Sequence, residues 1–184
     1  SEDKKILSYL KEHSDHKVVE RPEKLAQKGL SVNDTVKYVM EQQEKEYEYV
    51  AIYFPTSPLV TSSSIKEAIH TAIIFDVDSV VAVKEVSKLF YTHNEFGLAP
   101  LFKNHDLLKN ERDFLYEETG GVTVYKAELM LKDKGIGTSV GHVLLSELES
   151  VDIEDKFTFW LARQILENKE ELLKLGNKKI TRGY

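Results

Sequence analysis

Cysteine is absent from the 184 residues of this chain. Its absence excludes a disulfide scaffold, a thiolate metal site and a cysteine nucleophile. It also fits a reducing compartment, so we expect a cytoplasmic protein. No apolar run approaches the ~20 residues that a membrane-spanning helix needs. We expect no signal peptide either, because residues 1–5 are charged and polar, and therefore no membrane partner.

Positive charge is in deficit: 25 Lys and Arg stand against 31 Asp and Glu, for a formal net charge of −6. Nucleic acids and anionic lipids attract proteins with a basic surface. We therefore expect no nucleic-acid partner, although a local basic pocket could still hold a small anion.

Several catalytic motifs are missing as well. The chain has no GxSxG, no GxxxxGK[ST] and no GxGxxG, which disfavours an α/β-hydrolase, a P-loop nucleotidase and a typical dinucleotide enzyme. The six histidines show neither an HExxH pattern nor a cluster along the sequence, so we do not expect them to bind zinc. They are His13, His16, His70, His93, His105 and His142.

What is present is typical of a folded domain, with 41% hydrophobic and 30% charged residues. Apolar spacing predicts helices at 3–13, 31–46, 62–75, 127–131 and 153–174, and strands at 16–20, 48–54, 79–86, 121–126 and 139–146. Their alternation predicts a largely parallel sheet in a single α/β domain over residues 1–184. Residues 87–119 are aromatic, polar and weakly periodic, which indicates a hairpin or an insertion.

Acidic residues follow the last predicted strand. In an open α/β sheet, ligands bind beyond the carboxyl ends of the strands, and Asp152 and Glu154 lie there, just before the last helix. Hard oxygen ligands of this kind suit Mg²⁺. The alternative is that Asp152 caps the helix and Asp155 lies in its first turn, where acidic residues are favourable.

Two other strand ends carry polar residues. Arg21 follows the predicted strand 16–20 and could bind a phosphate or a base, or lie exposed in a turn. Thr56 and Ser57 stand between two prolines after strand 48–54, where their hydroxyls could bind a polar ligand or only close the turn. Ser31 or Asn33 could cap the helix that follows.

The segment PTSPLVT at residues 55–61, which follows an apolar strand, resembles the P-T-S-P-L-x-T motif of the acylneuraminate cytidylyltransferases, also called CMP-sialic acid synthetases. Other segments match that family's motifs in order and spacing. They are SED at 1–3, RPEKLA at 21–26, SVVAV at 79–83, TGGVTV at 119–124 and SVDIE at 150–154. The similarity runs along the whole chain.

This resemblance implies a three-layer Rossmann-like nucleotidyltransferase fold, similar to GT-A, with a protruding dimerisation hairpin at 87–119. It also implies transfer of CMP from CTP to a nonulosonic, sialic-type acid, with release of pyrophosphate, in a homodimer. Asp152 and Glu154 would bind Mg²⁺, and Arg21 and Ser31 would contact the nucleotide. The residues assigned by the resemblance to the sugar site are Pro55, Thr56, Ser57, Thr119 and Gly120.

The sequence also departs from the family pattern. Phe54 replaces the glutamine before P-T-S-P, Thr119 replaces the asparagine of N-G-A, and Glu154 replaces the second aspartate of D-I-D. Thr158 stands where the family has a later aspartate. These changes leave two alternatives open: a cytidylyltransferase for another 3-deoxy sugar acid, or a degenerate relative without activity.

A further departure concerns the start of the sequence. The family opens with a strand and a basic, glycine-containing loop that binds the triphosphate, whereas this sequence has no glycine before Gly29. It begins near the end of what would be the third strand. We therefore expect a fold without its first strands, a sequence that is a fragment, and no cytidylyl transfer by these 184 residues alone.

Overall fold

The computed structural model describes residues 1–27, 29, 31–101, 115–132 and 135–168. In these ranges a four-stranded sheet is accompanied by helices and by a separate two-stranded hairpin. The helices are α1 (Lys4–His13), α2 (Val32–Glu41), α3 (Ser62–Phe75), α4 (Ala127–Leu131) and α5 (Lys156–Glu167), with a short 3₁₀ helix at Glu23–Leu25. The strands are β1 (Tyr49–Tyr53), β2 (Ser79–Val86), β3 (Tyr91–Asn94), β4 (Gly97–Pro100), β5 (Leu115–Lys126) and β6 (Val140–Leu144).

The strand order in the main sheet is β1-β5-β2-β6. Strands β2 and β6 are parallel, but β5 is antiparallel to both β1 and β2. The expectation of a largely parallel sheet is therefore wrong for the strands described. The excursion after Val86 explains the difference: Leu115 pairs with Val86, so the chain returns to the end of the sheet that it left and runs back antiparallel.

The core lies between α3 and one face of this sheet. Ala68 and Ala72 of α3 are fully buried, and their small side chains allow the helix to lie close to the strands. The opposing sheet residues are valines, which suit a buried pleated surface. Those with at most 1% of their surface exposed are Val80, Val122, Val124 and Val143.

Most predicted helices are present, with bounds set by their caps. Helix α3 has its predicted bounds because the Thr61 hydroxyl accepts a hydrogen bond from the Ser64 N–H at 3.2 Å. Helix α2 is capped by Ser31 and ends at Glu41, five residues before the predicted end, where a polar run offers no apolar face. Helix α5 begins at Lys156 rather than at 153, and the predicted residues 169–174 lie outside the described ranges.

The strand predicted at 16–20 is wrong. Among the described residues, the main-chain to main-chain hydrogen bonds at this segment involve Ser1 only: the Ser1 amino group donates to the Val19 carbonyl at 3.2 Å, and the Arg21 N–H donates to the Ser1 carbonyl at 2.9 Å. A single residue cannot form a ladder, so the apolar run remains irregular.

The predicted excursion at 87–119 is a hairpin in its first half. Strands β3 and β4 pair from Tyr91–Pro100 to Asn94–Gly97. Its last residues, 115–119, instead belong to β5. Phe96 and Leu98 of the hairpin are 90% and 73% exposed. Within the parts of the chain described here, no helix is long and apolar enough to cross a membrane.

Candidate active-site cleft

An open cleft of about 390 Å³ lies where three chain segments meet. The segments are the middle of β5, the turn before α5 and the first turns of α5. The described residues that line it are Glu117, Glu118, Thr119, Gly120, Ser150, Val151, Asp152, Glu154, Thr158 and Leu161. The lining is therefore acidic and rich in hydroxyls, with apolar contacts from Val151 and Leu161.

A bulge in β5 brings Thr119 and Gly120 into the cleft. Val81 pairs with Thr123, but Val83 pairs with Glu118, so β5 has extra residues between these two pairs. Gly120 has φ of +68°, a conformation that favours glycine. At Gly121, a Cβ would lie 2.8 Å from Val60 Cγ2. The two glycines are thus required for different reasons, one by dihedral angle and one by close packing.

The turn that follows β1 is joined directly to the acidic segment. Ser57 is only 1% exposed, and its hydroxyl donates to Asp152 Oδ1 at 2.9 Å. The Ile153 N–H donates to the Thr56 carbonyl at 2.8 Å. The PTSP turn and the residues before α5 therefore form one hydrogen-bonded unit beside the cleft.

Asp152 does not cap the last helix. The cap is Asp155, whose carboxylate accepts from the Thr158 N–H at 2.8 Å, while the Thr158 hydroxyl accepts from the Asp155 N–H at 3.0 Å. The backbone hydrogen bond from Thr158 holds the pKa of Asp155 below its usual range. The capping alternative for Asp152 is therefore wrong, and both Asp152 and Glu154 line the cleft.

These two carboxylates fit a Mg²⁺ ion that is only partly held by protein. In the described ranges no group of three or more His, Cys, Asp or Glu side chains converges as a metal site. Mg²⁺ commonly takes one or two carboxylates and completes its shell with water and substrate phosphates. Two acidic side chains on one wall of an open cleft supply that donor set.

A neighbouring carboxylate, Glu149, is held very differently. It accepts five hydrogen bonds, from the N–H and hydroxyl of Thr61, from the hydroxyl of Ser64, and from the N–H and hydroxyl of Ser146. Partial burial raises its pKa, but the hydrogen bonds from Ser64, Thr61 and Ser146 outweigh that effect and leave the pKa below its ordinary value. Glu149 thus anchors the acidic segment to the start of α3.

The two residues predicted to contact the nucleotide do not line this cleft. The Arg21 guanidinium donates to Glu2 Oε2 from Nε at 3.0 Å and lies 3.5 Å from the Thr35 hydroxyl. Its hydrogen bond lowers the pKa of the exposed Glu2. The Ser31 hydroxyl accepts from the Asn33 N–H at 3.1 Å as the α2 cap. Their nucleotide contacts stay predictions.

The residues predicted for the sugar site lie in different places relative to the cleft. Thr119 and Gly120 line the cleft, whereas Pro55 and Thr56 are exposed on the adjoining turn and Ser57 is buried behind it. Sequence reasoning missed Glu117 and Glu118, because it placed them in the insertion. The signal was available: both residues directly precede the TGG segment, so they extend the same strand.

The sheet order and the helix packed on the sheet define a mixed α/β, Rossmann-like fold. A solved structure titled 4-diphosphocytidyl-2C-methyl-D-erythritol synthase, from Anaerococcus prevotii, superposes with a TM-score of 0.63 over 90% of this chain and 77% of that chain. The two are 9% identical in sequence, so this likeness concerns the fold.

Sequence comparison finds nearer relatives. The chain is 30% identical over 148 residues to proteins named N-acylneuraminate cytidylyltransferase from Streptococcus agalactiae serotypes III, Ia and V. The alignment covers 77% of this chain and 36% of each relative, so the chain spans about a third of the length of these curated relatives. No family model matches the chain.

Proposed function

We propose that this chain belongs to an enzyme that transfers CMP from CTP to a nonulosonic acid and releases pyrophosphate. The observation that carries the proposal is the 30% identity over 148 residues to proteins named N-acylneuraminate cytidylyltransferase. The acidic cleft beside the PTSP turn supports it, because three of the matching segments, 55–61, 119–124 and 150–154, come together there.

The proposed reaction is a substitution at phosphorus. The anomeric hydroxyl oxygen of the sugar acid forms a bond to the α-phosphorus of CTP and loses its proton. The bond between that phosphorus and the oxygen bridging to the β-phosphate breaks, and pyrophosphate leaves. Such a reaction depends on positioning and on stabilisation of the negative charge around the phosphorus.

In this proposal Asp152 and Glu154 hold Mg²⁺ in the cleft. The ion, when bound, would neutralise charge on the phosphate oxygens. Thr119 and Gly120 line the wall that faces the substrate, and the exposed Pro55 and Thr56 lie on the adjoining turn on the sugar side. Arg21 and Ser31 contact the nucleotide, for which Arg21 offers the guanidinium geometry that binds phosphate and base acceptors.

The same proposal makes the enzyme a cytoplasmic homodimer that uses the β3–β4 hairpin as its contact. Phe96 and Leu98 support this part, since they expose apolar surface on a hairpin that lies outside the main sheet. We expect Phe96→Asp to halve the mass of the particle in analytical ultracentrifugation. Phe75→Asp is the matched control, because Phe75 is 70% exposed at the end of α3 and lies off the hairpin. A dimer that survives Phe96→Asp contradicts this contact.

The activity is tested on the intact protein with CTP, other nucleoside triphosphates and Mg²⁺. We expect thermal stabilisation by CTP with Mg²⁺, and pyrophosphate release when N-acetylneuraminate, legionaminate or pseudaminate is added. A preference for a purine nucleotide, or no response to any nucleotide, overturns the proposal.

A second candidate is a cytidylyltransferase for another 3-deoxy sugar acid. It is favoured by Phe54 and Thr119, which replace polar residues of the family pattern. The Thr119 hydroxyl donates to the Ala82 carbonyl at 3.2 Å, so it offers a substrate less than an asparagine amide does. Pyrophosphate release with 3-deoxy-octulosonate, and none with nonulosonic acids, selects this candidate.

A further inference from the structure

We propose that Ser57 is a positioning residue, which fixes one oxygen of Asp152 so that the other is presented to the metal ion, and that it does not contact the sugar. This inference rests on the proposed function, since it concerns the same site. It differs from the expectation that the resemblance gave for Ser57, which was direct contact with substrate.

Burial and geometry both support this role. With 1% of its surface exposed, Ser57 has almost no area for a ligand to reach. Its hydroxyl has one proton to donate, and that proton points to Asp152 Oδ1 over 2.9 Å. No hydrogen bond from the described residues reaches Asp152 Oδ2, so this oxygen is left for a ligand in the cleft that Asp152 lines.

The donor is itself held in place by its turn. The Ser57 N–H donates to the Phe54 carbonyl at 3.0 Å, and the Tyr53 hydroxyl donates to the Ser57 carbonyl at 2.8 Å. Pro55 and Pro58 restrict the backbone on either side. The serine hydroxyl therefore has little freedom to swing away from Asp152.

The acceptor is held by the same turn. The bond from the Ile153 N–H to the Thr56 carbonyl, at 2.8 Å, fixes the residue next to Asp152. Because both partners are attached to one rigid turn, the carboxylate plane of Asp152 is set before any ligand arrives. Hydrogen-bonding partners that orient a metal-binding carboxylate in this way commonly change metal affinity when they are removed.

The inference is tested by titrating the intact protein with Mn²⁺ alone and following the electron paramagnetic resonance signal of the free ion. We expect Ser57→Ala to weaken Mn²⁺ binding by about 10- to 100-fold. The matched control is Ser79→Ala: Ser79 is fully buried and donates to the Ile136 carbonyl at 2.6 Å, outside the cleft. Its Mn²⁺ affinity should equal that of the wild type. Wild-type affinity in Ser57→Ala overturns the inference.

A second variant covers the case in which Ser57→Ala does not fold. Tyr53→Phe keeps the Ser57 hydroxyl but removes the hydrogen bond that holds the Ser57 carbonyl, and Tyr53 is 42% exposed, so folding should tolerate it. We expect a smaller loss of Mn²⁺ affinity than in Ser57→Ala. Unchanged affinity in this variant, when Ser57→Ala cannot be measured, counts against the inference.

A double-mutant cycle separates this inference from the proposed function. Unfolding of Ser57→Ala, Asp152→Ala and the double variant is measured without metal, and we expect a coupling of about tenfold in the unfolding equilibrium constant. Coupling together with no Mn²⁺ or CTP binding by the wild type defeats the proposed function alone. Metal binding without coupling defeats the positioning role alone.

Discussion

Two carboxylates three residues apart, Glu149 and Asp152, are treated in opposite ways by the fold. Among the described residues, Glu149 accepts five hydrogen bonds from backbone and hydroxyl donors, whereas Asp152 accepts one, from Ser57. Asp152 lines the cleft and Glu149 does not. A carboxylate whose oxygens are already occupied contributes to structure, and one with an unoccupied oxygen can still bind a ligand. Acidic character in the sequence is the same for both, so only the partners distinguish them.

The largest effect should come from removing the charge of Asp152. In the intact protein, we expect Asp152→Asn to lower kcat/KM for the proposed cytidylyl transfer by about 100-fold or more, because an amide is a poor ligand for Mg²⁺ beside a triphosphate. Steady-state pyrophosphate release measures it. Glu147→Gln, an exposed acidic position in the same segment outside the cleft lining, is the control and should keep wild-type activity. Equal losses in both variants would show that the general charge of the segment is what counts.

Glu149→Ala should instead act on stability. It leaves the donors of Thr61, Ser64 and Ser146 without their common acceptor, which we expect to lower the free energy of unfolding by about 1–3 kcal/mol. Urea denaturation measures this change. Mn²⁺ affinity, in the fraction that remains folded, should fall less than in Ser57→Ala. The contrast between the two carboxylates breaks down if Glu149→Ala abolishes Mn²⁺ binding and leaves the urea midpoint unchanged.

Lowering the pH should also show the contribution of Glu149 to the stability of the protein. Its pKa is lowered in the folded protein from the ordinary value of 4.5, so its contribution to stability is complete above pH 4.5. That contribution is lost as pH falls through the lowered value. Between pH 6 and pH 3, the wild type should therefore lose more stability than Glu149→Gln does. Parallel stability curves for the two proteins would contradict the hydrogen-bonded network.

The smallest effect should come from Asp155, another carboxylate of the same segment. We expect Asp155→Ala to destabilise the start of α5 by less than Glu149→Ala destabilises the protein, because the interactions lost are local to this helix end, chiefly those with Thr158. Asp155→Asn is the matched control, since it keeps a capping oxygen. Urea midpoints of the two variants measure the difference, and a larger loss in Asp155→Asn than in Asp155→Ala would rule out the cap as its cause.

Local patterns predicted α3 well, because Thr61 and its serines form a capping motif before a long apolar period. They failed for residues 16–20 and 115–119, where the outcome depends on pairing partners far along the chain. Val86 and Leu115 are such partners, and no window of sequence includes both. The pairing, and with it the antiparallel course of β5, therefore appears only in the folded structure.

The candidate site was predictable only in part, because some of its contacts join residues that are far apart in the sequence. Asp152 and Glu154 follow a predicted strand, so spacing and resemblance both pointed to them. The contact between Ser57 and Asp152 joins residues 95 positions apart, and the burial that withdraws Ser57 from the cleft is a tertiary property. Motif matching could assign Ser57 to the site, but it could not distinguish a residue that contacts the ligand from one that positions another residue.

The bulge at Thr119 and Gly120 divides β5 into two parts that pair differently. On one side of the bulge, residues 122–126 lie in the sheet between β1 and β2. On the other side, residues 115–118 pair with β2 alone among the described strands. Thr119 and Gly120 line the cleft, so a molecule bound there contacts the bulge. The cleft therefore lies at the point where the pairing of β5 changes from two described strands to one.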